Sequence, residues 1–141
     1  MNEERKIVIV PCSGIGKTYG TVSREAAYEL TEEIRPNQTR LVPLSLLVLG
    51  DEDARRAVSD SPAITIDGCK LACATKMVEE SGGETAYAFS VLDSYRRHRD
   101  LKPRGIAELN ETGEQLVSAL AGEIAEIVDS LQAVVEDIKN A

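Results

Sequence analysis

Apolar residues fall along this chain in two rhythms. Four short runs read as β-strands: Lys6 to Val10, Leu41 to Leu49, Ala63 to Ile66 and Thr85 to Leu92. Each is closed by Pro, Gly or Asp. Pro43 interrupts the second run, so a strand there is expected to give way to a loop. Between the runs the spacing turns helical. Val22, Ala26, Ala27, Leu30 and Ile34 mark a helix opened by Thr21 or Ser23 and stopped at Arg35-Pro36-Asn37. Asp51 caps a short helix to about Val58, and a helix after Gly68 runs to about Ser81 before Gly82-Gly83. Asp93 to Leu109 is poorly patterned and reads as loop, with a helical turn around Tyr95 to Arg99. From Thr112 to Ile138, Leu116, Leu120, Ile124, Val128, Leu131 and Val135 recur on one face and predict a long amphipathic helix over residues 110–139. Thr112 with Gln115 forms a capping box, or Asn110 caps instead. Strands alternating with helices predict a small three-layer α/β fold with a mostly parallel sheet of about four strands, in one domain over residues 1–141. The long C-terminal helix covers the sheet, or its end overhangs and pairs with a second copy as a homodimer.

Composition narrows the function classes. A hydrophobic share of 43% beside 28% charged residues describes a globular chain, and with one Phe and no Trp its core must be aliphatic. The net charge of -8 argues against a nucleic-acid partner, because a phosphate backbone demands clustered Lys and Arg. The basic cluster Tyr95-Arg96-Arg97-His98-Arg99 reads as a solvated face. A charged start, Met1 to Lys6, leads straight into a strand without a secretory apolar region, and no apolar stretch is long enough for a membrane span. A cytoplasmic protein is expected, with no membrane partner. Three cysteines in a reducing compartment point to metal or thiol chemistry rather than a disulfide framework.

Those cysteines stand where strands end. Cys12 follows the first strand in Pro11-Cys12-Ser13-Gly14, and Cys69 and Cys73 follow the third in Asp67-Gly68-Cys69-Lys70-Leu71-Ala72-Cys73. With a helix beginning near Lys70, the latter two thiols share one side of its first turn. The carboxyl ends of parallel strands lie along one edge, so all three are expected to converge there. Gly14-Ile15-Gly16-Lys17-Thr18 has the flavour of a nucleotide-binding loop, but Pro11 stands where the Walker pattern needs Gly. A backbone anion site over Ser13, Gly14, Gly16, Lys17 and Thr18 survives that objection. It makes Cys12 an alternative nucleophile in a thiol enzyme or sulfur carrier, with Cys69 or Cys73 resolving the intermediate. No Arg closes the loop as in a phosphatase; Thr18 stands there instead.

The run Asp67 to Lys76, together with Pro11 to Gly14, resembles the DGC-domain family, named for that tripeptide and associated with zinc binding. The resemblance spans Ile7 to Leu92 in order, a DGC-like core over residues 6–92, and leaves the C-terminal helix outside. Members carry four cysteines. Cys12, Cys69 and Cys73 match the first, third and fourth, and the second, expected within Leu41 to Leu47, is absent. The resemblance implies a zinc site of Cys12, Cys69 and Cys73 in a binding or accessory module for an unidentified small molecule or protein. A structural zinc normally takes four protein ligands, and three leave an open position. His98, Asp67, Asp93 or Ser45 completes the site, or water or a small thiol does, or the metal is lost and the fold kept. Three thiolates also suit an iron–sulfur cluster with one open iron, the lesser alternative to zinc.

Overall fold

The alternation along the first strand divides the core in two. In the structure, a computed structural model describing residues 6–12, 14 and 16–140 apart from the Lys139 side chain, the four strands are β1 (Ile7–Pro11), β2 (Thr39–Leu41), β3 (Ala63–Asp67) and β4 (Thr85–Ser90). They form one sheet in the order β2-β1-β3-β4, every neighbouring pair parallel. Helices α1 (Thr18–Tyr28), which runs on as a π-helical stretch over Glu29–Ile34, α5 (Val91–Arg97) and α6 (Glu111–Asn140) supply one apolar layer. Ile7, Ile9, Ile64 and Ile66 pack there against Val22, Leu30, Val91, Leu116, Leu120 and Ile124. On the other face Val8, Val10 and Ala63 pack against Leu47, Ala54, Val58 and Val78, which belong to α2 (Leu44–Leu49), α3 (Glu52–Asp60) and α4 (Cys73–Glu80). A strand covered on both faces needs apolar residues at every position, which is why β1 reads as an unbroken run. The chain is therefore three-layered α/β, as its pattern predicts.

Two local readings are corrected, and one pair of alternatives is decided. The Leu41–Leu49 run is not one strand, because only Thr39–Leu41 pairs with β1 and the chain then enters α2. Pro43, with φ of -63°, precedes the first helical residue, and Gly50, at φ of +78°, ends the helix in the left-handed region that Gly adopts without a steric penalty. Val48 and Leu49 are consequently exposed rather than buried in a sheet. The strand read to Leu92 ends at Ser90, and α5 begins at Val91 and runs into the poorly patterned segment; its start is capped by the Ser90 hydroxyl accepting the Asp93 N–H, with Arg96 and Arg97 in the last turn where the helix dipole favours cations. At α6 the Asn110 Oδ1 accepts the Gly113 N–H at 2.9 Å, so Asn110 is the cap. The Thr112 hydroxyl donates to the Lys102 carbonyl instead.

α6 holds the layer together over most of its length. Its inward residues are buried as far as Val128, whereas Val134 and Ile138 are exposed. Near that transition the Arg35 guanidinium donates to both Asp129 carboxylate oxygens, at 2.8 and 2.9 Å, tying the end of the π-helical stretch to α6. The hydrogen bond from Arg35 lowers the Asp129 pKa. Among the described residues no helix is long and apolar enough to cross a membrane.

Candidate functional site

In a sheet of this order the first and third strands are neighbours whose connections leave in opposite directions, and a crevice opens at their carboxyl ends. Cys12 leaves β1 on that edge, its N–H still bonded to the Ile66 carbonyl of β3 at 2.8 Å. Cys69 leaves β3 two residues after the strand ends. The two cysteines line one cavity of about 390 Å³ with Gly14, Lys17, Thr18, Tyr19, Gly20, Gly68 and Pro103. Cys12 is buried, Cys69 half-buried, and neither is in a disulfide.

Cys73 is not among the residues lining this cavity; it is exposed at the first position of α4. The helix does not begin at Lys70. Residues 69–72 form a turn closed by the Ala72 N–H on the Cys69 carbonyl, and Ala72 sits in the left-handed region at φ of 51°. Asp67 sets this start. Its buried carboxylate accepts the Ala74 N–H at 2.9 Å and the Thr75 hydroxyl at 2.6 Å, capping a helix whose preceding residue, Ala72, supplies no side-chain cap.

Each member of Asp67-Gly68-Cys69 thus has a separate task. Asp67 fixes the helix start, Cys69 lines the cavity, and Gly68 allows the turn to pack on α1. A side chain at Gly68 would stand 3.2 Å from the backbone of Tyr19 and Gly20. Gly20 is tighter still, since a Cβ there would lie 2.5 Å from the Gly14 carbonyl oxygen. Neither need is evident from spacing alone. Gly20→Ala must push the Gly14 loop outward, so we expect a loss of about 1–3 kcal/mol in urea denaturation and faster alkylation of Cys12. Unchanged stability together with unchanged thiol reactivity would show that the loop does not depend on this contact.

The proposed anion loop is partly described. Ser13 lies outside the described residues. Gly14, Lys17 and Thr18 line the cavity, while Gly16 is exposed at φ of +83° and does not. Among the described residues α1 starts without a side-chain cap at Lys17, and a helix's opening amides are the groups that an anion can bond. The candidate fourth ligands are engaged elsewhere or face solvent. The His98 Nε2 lies 3.1 Å from Glu123, Asp93 pairs with Arg96, both Asp67 oxygens are bonded, and Ser45 is exposed on α2. Among the described residues no three His, Cys, Asp or Glu side chains are grouped to hold a metal ion. The cavity presents two thiols, half the donors that a closed zinc site takes. A larger cleft of about 670 Å³ between α1 and α6 is lined by Glu25, Glu29, Glu32, Glu33, Glu108 and Glu114 and contains no cysteine.

No curated protein and no solved structure matches the chain. The model of the DGC domain matches residues 8–120, beyond the Ile7 to Leu92 stretch on which the resemblance was read and into the first part of α6. With that match covering most of the sequence, and with the Asp-Gly-Cys turn built into the wall of the cavity, the chain belongs to the DGC-domain family.

Proposed function

We propose that this protein is a zinc-binding module whose metal is held by Cys12 and Cys69 in the crevice between β1 and β3, with Cys73 as the third thiolate. The observation that supports the reading is the meeting of Cys12 and Cys69, remote in sequence, in one cavity at the carboxyl edge of the sheet. Zinc bound there would act as a Lewis acid or as a link to a ligand donor. The chain's own part is to hold two soft donors at the cavity, to add Cys73 from the start of α4, and to leave the remaining coordination to a small molecule or partner protein. An iron–sulfur cluster needs three or more thiolates at one place and is the weaker assignment. The setting we assign is the cytosol, where free thiols persist. The exposed Val134 and Ile138 of α6 offer a place for a second copy.

The test is zinc content per chain by plasma mass spectrometry, without added metal or a histidine tag, beside a thiol count before and after chelation. About one zinc per chain is expected. Cys12→Ser and Cys69→Ser should each abolish it, and Cys73→Ser should weaken it by about tenfold or more. Absence of zinc, with Cys12 alkylated quickly and selectively, would overturn the reading. That result would favour thiol chemistry in which Cys12 is the nucleophile, a second reading supported by the uncapped start of α1 and Lys17 at the same cavity.

A further inference from the structure

The two edges of the sheet are defended differently. At one edge β2 has three residues and carries Arg40, the short, charged form that discourages pairing with another chain. At the other, β4 is twice as long and reads Thr-Ala-Tyr-Ala-Phe-Ser, without charge or proline in a chain that is 28% charged. Among the described residues nothing pairs with its outer side. The helical layers do not cover it either, because Ala86, Tyr87 and Ala88 are exposed although their side chains alternate between the two faces. Tyr87 is 45% exposed and its ring lies 4.6 Å from that of Phe89.

We propose that β4 is the contact strand of a homodimer, pairing antiparallel with β4 of a second copy about a two-fold axis perpendicular to the sheet. The occupant follows from the strand's chemistry. Its unpaired backbone groups call for another extended strand, and its lack of charge permits its own copy to approach despite a net charge of -8. The axis keeps like faces together, and placed at Ala88 it sets Tyr87 opposite Phe89 of the second copy and Ala88 opposite its own counterpart, with Ala86 opposite Ser90. Aromatic cross-strand pairs on one side and small residues on the other allow close approach along the whole strand. The pairing does not depend on the thiol cavity and stands apart from any contact through α6.

Sedimentation equilibrium of the full chain over a range of concentrations tests this. The wild type should reach twice the 15.3 kDa of one chain. Ala88→Lys and Ala88→Glu, each at an exposed position, should raise the dimer dissociation constant by about tenfold or more, because like charges then face each other across the axis. An equimolar mixture of the two variants should regain the dimer, a rescue that a folding defect would not produce. A monomeric wild type at all concentrations, a dimer indifferent to both Ala88 variants, a mixture that stays monomeric, or a dimer dissolved only by Val134→Glu with Ile138→Glu would each overturn the proposal.

Discussion

A chain ending at Asn110 is expected not to fold. Truncation there removes α6, and with it Leu116, Leu120, Ile124 and Val128, all fully buried against β1 and α1. Each such side chain contributes about 1.5–3 kcal/mol on burial, so the four together represent about 6–12 kcal/mol. That is comparable to the whole stability of an ordinary domain, about 5–15 kcal/mol. The truncated chain should lack a cooperative thermal transition by circular dichroism. Truncation after Gln132, by contrast, removes the exposed Val134 and Ile138 and should leave the midpoint nearly unchanged. A cooperative melt from the shorter chain would mean that α6 only covers a core able to stand without it.

Asp67→Ala should cost about 3 kcal/mol, although it removes few atoms. Asp67 is 5% exposed and its carboxylate accepts from the Ala74 amide and the Thr75 hydroxyl, and a buried donor stripped of its acceptor carries its full desolvation cost. The Thr65 hydroxyl, 2.7 Å from that of Thr75, belongs to the same network. Loss of the cap should also release the 69–72 turn, so Cys69 should become more reactive. Asp67→Asn retains one acceptor oxygen and is expected to recover part of the loss. Urea denaturation gives the stability, and hydrogen exchange at Ala74 gives the local effect. A change below about 1 kcal/mol with unaltered exchange would remove Asp67 from its place as the α4 cap.

How far these residues could be read in advance depended on how local their reasons were. The α6 periodicity declared a helix because burial on one face repeats every turn. The apolar runs of β1 and β3 declared strands because both faces of a central strand are covered. The Leu41 to Leu49 run misled for the converse reason: its apolar residues resemble a buried strand, but Pro43 precedes a short helix that leaves Val48 and Leu49 more than half exposed. The α5 segment was obscure because about two turns of helix capped by a serine leave little periodicity to detect.

At the candidate site the same division holds. The positions of Cys12 and Cys69, each in a glycine-bearing stretch that follows a strand, were legible from adjacent residues alone. So were the α/β class and the DGC tripeptide itself. Tertiary structure decided that Cys12 and Cys69 line one cavity while Cys73 starts α4, that Asp67 is a cap, and that among the described residues nothing pairs with the outer side of β4. Secondary structure follows from bonds and burial patterns among neighbouring residues. Convergence depends on how closely distant backbones approach, here at Gly20 against Gly14 and Gly68 against Tyr19, and such contacts leave no spacing in the sequence to read.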